Sequence, residues 1–168
     1  MHDQVLTHAY LAHSRAERRI ADSEEQVRLA VANWILKRSE EPWLQLFIFD
    51  RHSGQFIGGT GFHHLVWEIP SVETGYWIRN SHAGKGLMTE AMNAMTQYAF
   101  RQLQVKRIAI SCDVDNHASR KIPERLNYTL EGRLKHHRRK PVSGELSDTL
   151  VFAKYNLDNL PPLVVMWG

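Results

Sequence analysis

The stretch Gly75–Thr89, Gly-Tyr-Trp-Ile-Arg-Asn-Ser-His-Ala-Gly-Lys-Gly-Leu-Met-Thr, constrains this chain more than any other. An apolar strand runs into a glycine-punctuated turn, and the turn opens directly into a helix. The first N–H groups of a helix have no acceptor within it. Here they face whatever sits at the turn. Gly84 and Gly86 remove side chains that would hold a ligand's phosphates away from the backbone. The pattern asks for a phosphate-bearing ligand at residues 82–89. A tight strand-to-helix connection without a ligand is the plain alternative. Two familiar nucleotide loops fail the test. A Walker loop needs Gly-Lys followed by Ser or Thr, but Gly86 follows Lys85. A dinucleotide fingerprint needs a last glycine where Thr89 stands.

The run Ser81-His82-Ala83-Gly84-Lys85-Gly86 resembles the pyrophosphate loop of acetyl-CoA-dependent N-acetyltransferases of the GNAT superfamily. That loop reads Gln/Arg-x-x-Gly-x-Gly/Ala, and Ser81 departs from it at the first position. A second segment begins Asp115-Asn116-His117-Ala118-Ser119 and continues to Asn127-Tyr128-Thr129-Leu130-Glu131-Gly132. It is similar to the Asp-Asn-x-x-Ser … Gly-Phe-x-x-Glu-Gly pattern that follows the fifth strand of the superfamily. The resemblance points to the Rim-type branch, the ribosomal-protein N-terminal acetyltransferases. Glu73-x-Gly75-Tyr76-Trp77 resembles that branch's fourth strand. The three motifs stand in the right order and span roughly residues 22–156. Asn127-Tyr128 replaces the usual Gly-Phe. Asn tolerates a left-handed backbone, so a helix end survives there.

Composition agrees with this reading. A chain of 168 residues, 43% of them hydrophobic, suits one domain with one core. One domain is expected over 1–156, with a tail at 157–168. Without a run of about 18 apolar residues, no membrane-spanning helix is expected. Nor does a signal peptide stand out. The single cysteine, Cys112, excludes an internal disulfide and suits a reducing, cytoplasmic setting. It sits in an apolar strand pattern and reads as buried and inert. A net charge of +3 mildly favours anionic partners.

Along the chain, residues 4–20 read as a helix, with Val5, Ala9, Ala12 and Ala16 near one face. Ser23-Glu24-Glu25-Gln26 is a capping box, and Val27, Ala30, Val31, Trp34 and Ile35 follow at helical spacing. Leu44–Asp50 and Gln55–His63 form a hairpin around Arg51–Gly54. Val72–Arg79 is the next strand. Leu87–Leu103 is a helix with Met88, Ala91, Met92, Met95 and Ala99 on its core face. Arg107–Asp113 is a strand, and Ala118–Leu126 a short helix that Pro123 should kink. Thr129–His137 and Leu146–Asn156 are the last strands. The fold class is α/β, a mixed, mostly antiparallel sheet flanked by helices. Its resemblance is to the GNAT acyl-CoA N-acyltransferase fold, with the customary first strand apparently absent and the chain starting inside the first helix. An uncovered sheet edge would invite a second molecule. The tail Leu163-Val164-Val165-Met166-Trp167 is apolar and should dock on a surface or a partner chain. A homodimer through the tail or a sheet edge is therefore expected, with a monomer whose tail folds back as the alternative.

The resemblance implies acetyl-CoA as donor and an amine as acceptor, either a protein N-terminus or a small molecule. It places the pyrophosphate on His82, Ala83, Gly84, Lys85, Gly86, Leu87, Met88 and Thr89. The backbone of Trp77 and Ile78 would pair with the pantetheine arm as an added strand, and Asn116 would contact the same arm. Ser119 stands where the pattern has its acid, beside the thioester sulfur. A cap or lining residue of the short helix is the alternative for Ser119, and a turn-former for Asn116. Glu73 is the candidate base, acting directly or through a water, against a solvated or ion-paired strand residue. Where the Rim-type pattern has a further carboxylate, this chain has Arg138, which bears on acceptor choice. His136 or His137 could substitute as base, because histidine titrates near neutral pH. The run Lys135–Lys140 could neutralise nucleic-acid phosphates, but it is short and lacks interleaved aromatics, so a solvated hairpin end is expected. The histidines, His63-His64 among them, show no metal spacing in the sequence, and no metal is expected. A non-catalytic acyl-CoA-binding module is the rival function class.

Overall fold

The computed structural model describes residues 5–9, 44–140 and 143–166. They fall into two compact units. One holds residues up to Leu65 together with Gly75–Ala91, the other Val66–Thr74 and Met92 onward.

In the first unit, β1 (Val5–Ala9) pairs antiparallel with β2 (Leu44–Asp50), Val5 opposite Asp50 and Ala9 opposite Leu46. β2 pairs antiparallel with β3 (Phe56–Val66). Leu44, Leu46 and Ile48 are buried at every second position of β2, the period of a pleated strand. The Asp50 carboxylate closes the hairpin turn by accepting from the Ser53 N–H at 2.7 Å and the His52 N–H at 3.2 Å. β1 corrects the sequence reading of a helix from residue 4 and of a missing first strand. Val5 and Thr7 are β-branched and suit a pleated surface. Their ladder partners lie at 46–50, too far along the chain for local spacing to reveal. The rest of that expected helix, and the capping box at 23–26, lie outside the described residues.

Strand β4 (Ser71–Ile78) contributes Ser71–Thr74 to the second unit. These residues pair in parallel with Arg107–Ile110 of β5 (Arg107–Asp113). β5 pairs antiparallel with β7 (Leu146–Lys154), which pairs antiparallel with β6 (Thr129–Arg139). The mixed sheet expected from the sequence is therefore present. Helix α1 (Leu87–Arg101) buries Met88, Ala91, Met92, Met95 and Ala99, the core face read from its spacing. Helix α2 (His117–Arg125) follows β5 and runs continuously through Pro123. The core of the second unit includes Val72, Ile108, Ile110, Leu126 and Phe152.

The tail does not need a partner chain for its first half. The Asn93 and Gln97 amides on α1 donate to the carbonyls of Pro161 and Leu163 at 2.8 and 3.1 Å. Val164 and Met166 beyond them are exposed.

Candidate active site

The glycine turn forms as a 3₁₀ turn, Asn80–His82, followed by Ala83–Gly86 and the start of α1. The His82 N–H donates to the Arg79 carbonyl at 2.9 Å, and the Ala83 N–H to Asn80 at 3.2 Å. Both donors are spent inside the turn, which narrows the expected set of residues 82–89. The helix ladder begins with Glu90 donating to the Gly86 carbonyl at 3.0 Å. The N–H groups of Leu87, Met88 and Thr89 therefore have no acceptor within the helix. Gly84 and Gly86 both take positive φ, +78° and +81°, and an added Cβ at either would meet nothing within 4 Å. The turn is open on its outer face and shaped by conformations that L side chains rarely adopt. Donors without partners, positive helix-end dipoles and room for an anion occur together at 84–89.

Trp77 precedes this turn. Its ring packs edge-on to Phe56 with centroids 5.5 Å apart. Its indole nitrogen would lie 2.6 Å from a Cβ on Gly59, so glycine there lets the ring lie down on β3. The Thr60 hydroxyl donates to the Gly75 carbonyl at 2.8 Å and fixes the same stretch. The β4–β5 ladder ends at Thr74 opposite Ile110. Strand β4 itself continues to Ile78.

In the second unit, Asn116 and Ser119 are joined directly. The Ser119 N–H donates to Asn116 Oδ1 at 3.0 Å, so Asn116 is the N-cap of α2. The side-chain cap seen at the start of this helix is therefore that of Asn116. Asp113 supports the turn before it by accepting from the Asp115 N–H at 2.9 Å. That bond is the main reason its carboxyl is held below the ordinary range. At the other end, Asn127 takes φ +55°. The Tyr128 N–H reaches the Pro123 carbonyl and the Asn127 N–H reaches Glu124, at 2.9 and 3.1 Å. This is a Schellman ending with Asn in place of Gly, as the sequence led us to expect.

Glu73 sits opposite Ala109 in the β4–β5 ladder and is half-buried. It contributes to raising the Arg107 pKa, after the larger effects of Glu131 and Tyr155. His136 and His137 lie in a bulge of β6 between Leu134 and Arg138. Asp148 holds the bulge, accepting from the His136 N–H at 2.8 Å and from Arg133 Nε at 2.6 Å. These bonds hold its own carboxyl below the usual range. His137 Nδ1 lies 3.1 Å from the Thr149 hydroxyl, and Arg138 Nε donates to that hydroxyl at 2.9 Å. Sequence reading missed Asp148 because it acts across the hairpin. Cys112 is buried, and burial is the main cause raising its thiol pKa, which suits the inert role expected of it.

A family model described as the acetyltransferase (GNAT) domain matches residues 2–129. Among curated proteins, YdaF of Bacillus subtilis (strain 168), named for ribosomal N-acetyltransferase activity, is 37% identical over 82 residues. That match covers 49% of this chain and 45% of that protein. The ribosomal-protein-serine acetyltransferase of Escherichia coli (strain K12) is 28% identical over 113 residues, or 67% of this chain and 62% of that one. The chain thus spans about half to three fifths of the length of these relatives. A solved structure of RimL, a ribosomal L7/L12 alpha-N-protein acetyltransferase in complex with coenzyme A, gives a TM-score of 0.63 at 29% identity. It covers 81% of this chain and 75% of that one. The spermidine/spermine N-acetyltransferase SpeG of Vibrio cholerae shares the fold, with a TM-score of 0.68 at 16% identity over 90% and 92% of the two chains. With the family model spanning well over half of its residues, the chain belongs to the GNAT acetyltransferases.

Proposed function

We propose that this chain is an acetyl-CoA-dependent N-acetyltransferase whose acceptor is a primary amine, either a protein N-terminus or a small amine. The observation that carries the reading is the start of α1, where open left-handed glycines and unpaired N–H groups provide the cradle a pyrophosphate requires. Residues 84–89 would hold the pyrophosphate, and Trp77 and Ile78 would align the pantetheine arm. Acetyl-CoA, when bound, supplies the activated acetyl carbonyl. Ser119 would give its hydroxyl proton to the departing thiolate, and Glu73 would take the proton of the attacking amine, directly or through water. The Asn116 cap would orient Ser119 through the 3.0 Å bond to its N–H. The relatives named for ribosomal-protein acetylation favour a protein N-terminus as the first acceptor to try. The basic replacement at Arg138 gives reason to expect a different acceptor sequence from theirs.

A cytoplasmic location belongs to the same proposal; among the described residues no helix is long and apolar enough to cross a membrane. So does a homodimer, through a sheet edge or the tail with its exposed Val164 and Met166, to be tested by light scattering. The decisive functional experiment is thiol release from acetyl-CoA across a panel of N-terminal peptides, polyamines and small amines. Release with at least one amine, abolished or sharply reduced in Ser119→Ala and Glu73→Gln, is the expected result. Tight CoA binding with no release on any amine would favour the non-catalytic binding module.

A further inference from the structure

We propose that the segment Leu157–Leu163 is a positioning strap that fixes helix α2, and with it Ser119, from the helix's far end. The inference rests on Ser119 having the role proposed above. Helix α2 has nine residues, and Pro123 is its buried residue. A helix of about two and a half turns is marginal by itself. Pro123 also has no N–H to give to the Ser119 carbonyl one turn earlier. The helix needs outside support, and its exit at Asn127 receives it.

Four carbonyls of the segment accept from four side chains. Asp158 accepts from Lys154 Nζ at 2.8 Å, and Asn159 from Asn127 Nδ2 at 2.7 Å. Pro161 accepts from Asn93, and Leu163 from Gln97. Lys154 Nζ also donates to the carbonyl of Asn127 at 3.2 Å. Asn127 is thereby held from both its main chain and its side chain. The next residue, Tyr128, places its hydroxyl 2.7 Å from that of Thr96 on α1. The strap thus ties the exit of α2 to β7 and to α1.

The donors are built for this use. Asn93, Gln97 and Lys154 are each only 4% exposed. Buried amides and a buried ammonium are costly without acceptors. Gln97 uses its oxygen on Arg101 at 2.8 Å, and its nitrogen reaches both Asn93 Oδ1 at 2.9 Å and the strap. Pro161-Pro162 suits the strap for a complementary reason. Proline holds an extended chain and brings no N–H that would need a partner.

The positioning residues to change are Asn127 and Lys154. Asn127→Gly keeps the left-handed helix ending and removes only the side-chain bond to Asn159. Lys154→Met keeps the length of the stem and removes both donations. Two readouts are made on each full-length variant: amide exchange at residues 117–125 and 158–163, and kcat with KM for acetyl-CoA. Faster exchange at both segments together is expected, with kcat down about tenfold, because small misplacements of a catalytic group are costly, and with KM changed less than kcat. In a Ser119→Ala background the strap variants should cause little further loss of kcat, because the two changes act through one group. Unchanged exchange at 117–125 in both variants overturns the strap, whatever happens to activity. Undiminished losses of kcat in the Ser119→Ala background overturn its action through Ser119. If Ser119→Ala alone leaves kcat intact, the acid assignment fails, and the exchange data still decide the strap.

Discussion

Gly58 and Gly84 are glycines for different physical reasons, and one substitution separates them. A Cβ on Gly58 would overlap the Trp77 carbonyl oxygen, a backbone atom that cannot turn aside. Gly58→Ala should therefore cost roughly 1–3 kcal/mol, as overpacking does, and lower the urea midpoint. A Cβ on Gly84 meets nothing, and only the φ of +78° resists it. Gly84→Ala should cost about 1–2 kcal/mol of backbone strain, with its larger effect on CoA affinity. Calorimetry showing full CoA affinity in a folded Gly84→Val protein would reject the loop assignment. A second residue-scale case is Glu131, whose carboxylate is held below its ordinary value of 4.5, first by Arg107 and then by Tyr155. A depressed carboxylate contributes stability that is complete above the unfolded pKa and is lost as pH falls through the folded value. Glu131→Gln should accordingly flatten the loss of stability on acidification below about pH 4.5. Parallel urea curves for both proteins down to about pH 3 would show that the ion pair has no thermodynamic effect.

At the scale of elements, short-range pattern was readable and long-range pairing was not. The alternating apolar residues of β2 and the helical stripe of α1 appear where their periods put them, with ends shifted by one or two residues at most. The ending of α2 at Asn127 was readable too, because left-handed tolerance is a property of the residue itself. β1 was misread because its strand character depends on a ladder with residues 46–50. β6 runs two residues further than expected, through a bulge stabilised by Asp148 on the next strand. In the candidate site, the glycine turn opening into a helix was readable, because glycine's backbone freedom is a property of the residue. That His82 and Ala83 consume their own N–H groups was not, because it depends on the 3₁₀ geometry. The cap on α2 offers a test of what Asn116 does. Asn116→Asp preserves an acceptor for the Ser119 N–H and should keep the helix, whereas Asn116→Ala should cost about 1 kcal/mol. If Asn116 also donates to the pantetheine arm, Asn116→Asp should raise the KM for acetyl-CoA while leaving the melting temperature near that of the parent. Equal KM values for the parent and Asn116→Asp would confine Asn116 to capping.

For the molecule as a whole, binding and stability are one measurement. A ligand that binds only the folded chain stabilises it by about 2.7 kcal/mol at a hundredfold excess over its Kd. In a chain of this size 1 kcal/mol moves the melting temperature by roughly 2–4 °C. CoA at that excess should therefore raise the melting temperature by roughly 5–11 °C. The source of the rise can be dissected by ligand. If the N–H groups at 84–89 bind the pyrophosphate, pantetheine, which lacks it, should give only a small fraction of the shift at the same concentration. Gly84→Val should lose most of the CoA shift and little of the pantetheine one. Salt adds a third axis, because contacts to phosphate at an open turn are screened while an added-strand contact at Trp77 and Ile78 is not. Raising the salt from about 0.05 to 0.5 M should reduce the CoA shift at fixed ligand and leave the pantetheine shift nearly unchanged. Equal shifts from CoA and pantetheine, insensitive to both salt and Gly84, would mean that the glycine turn is only a connection between strand and helix.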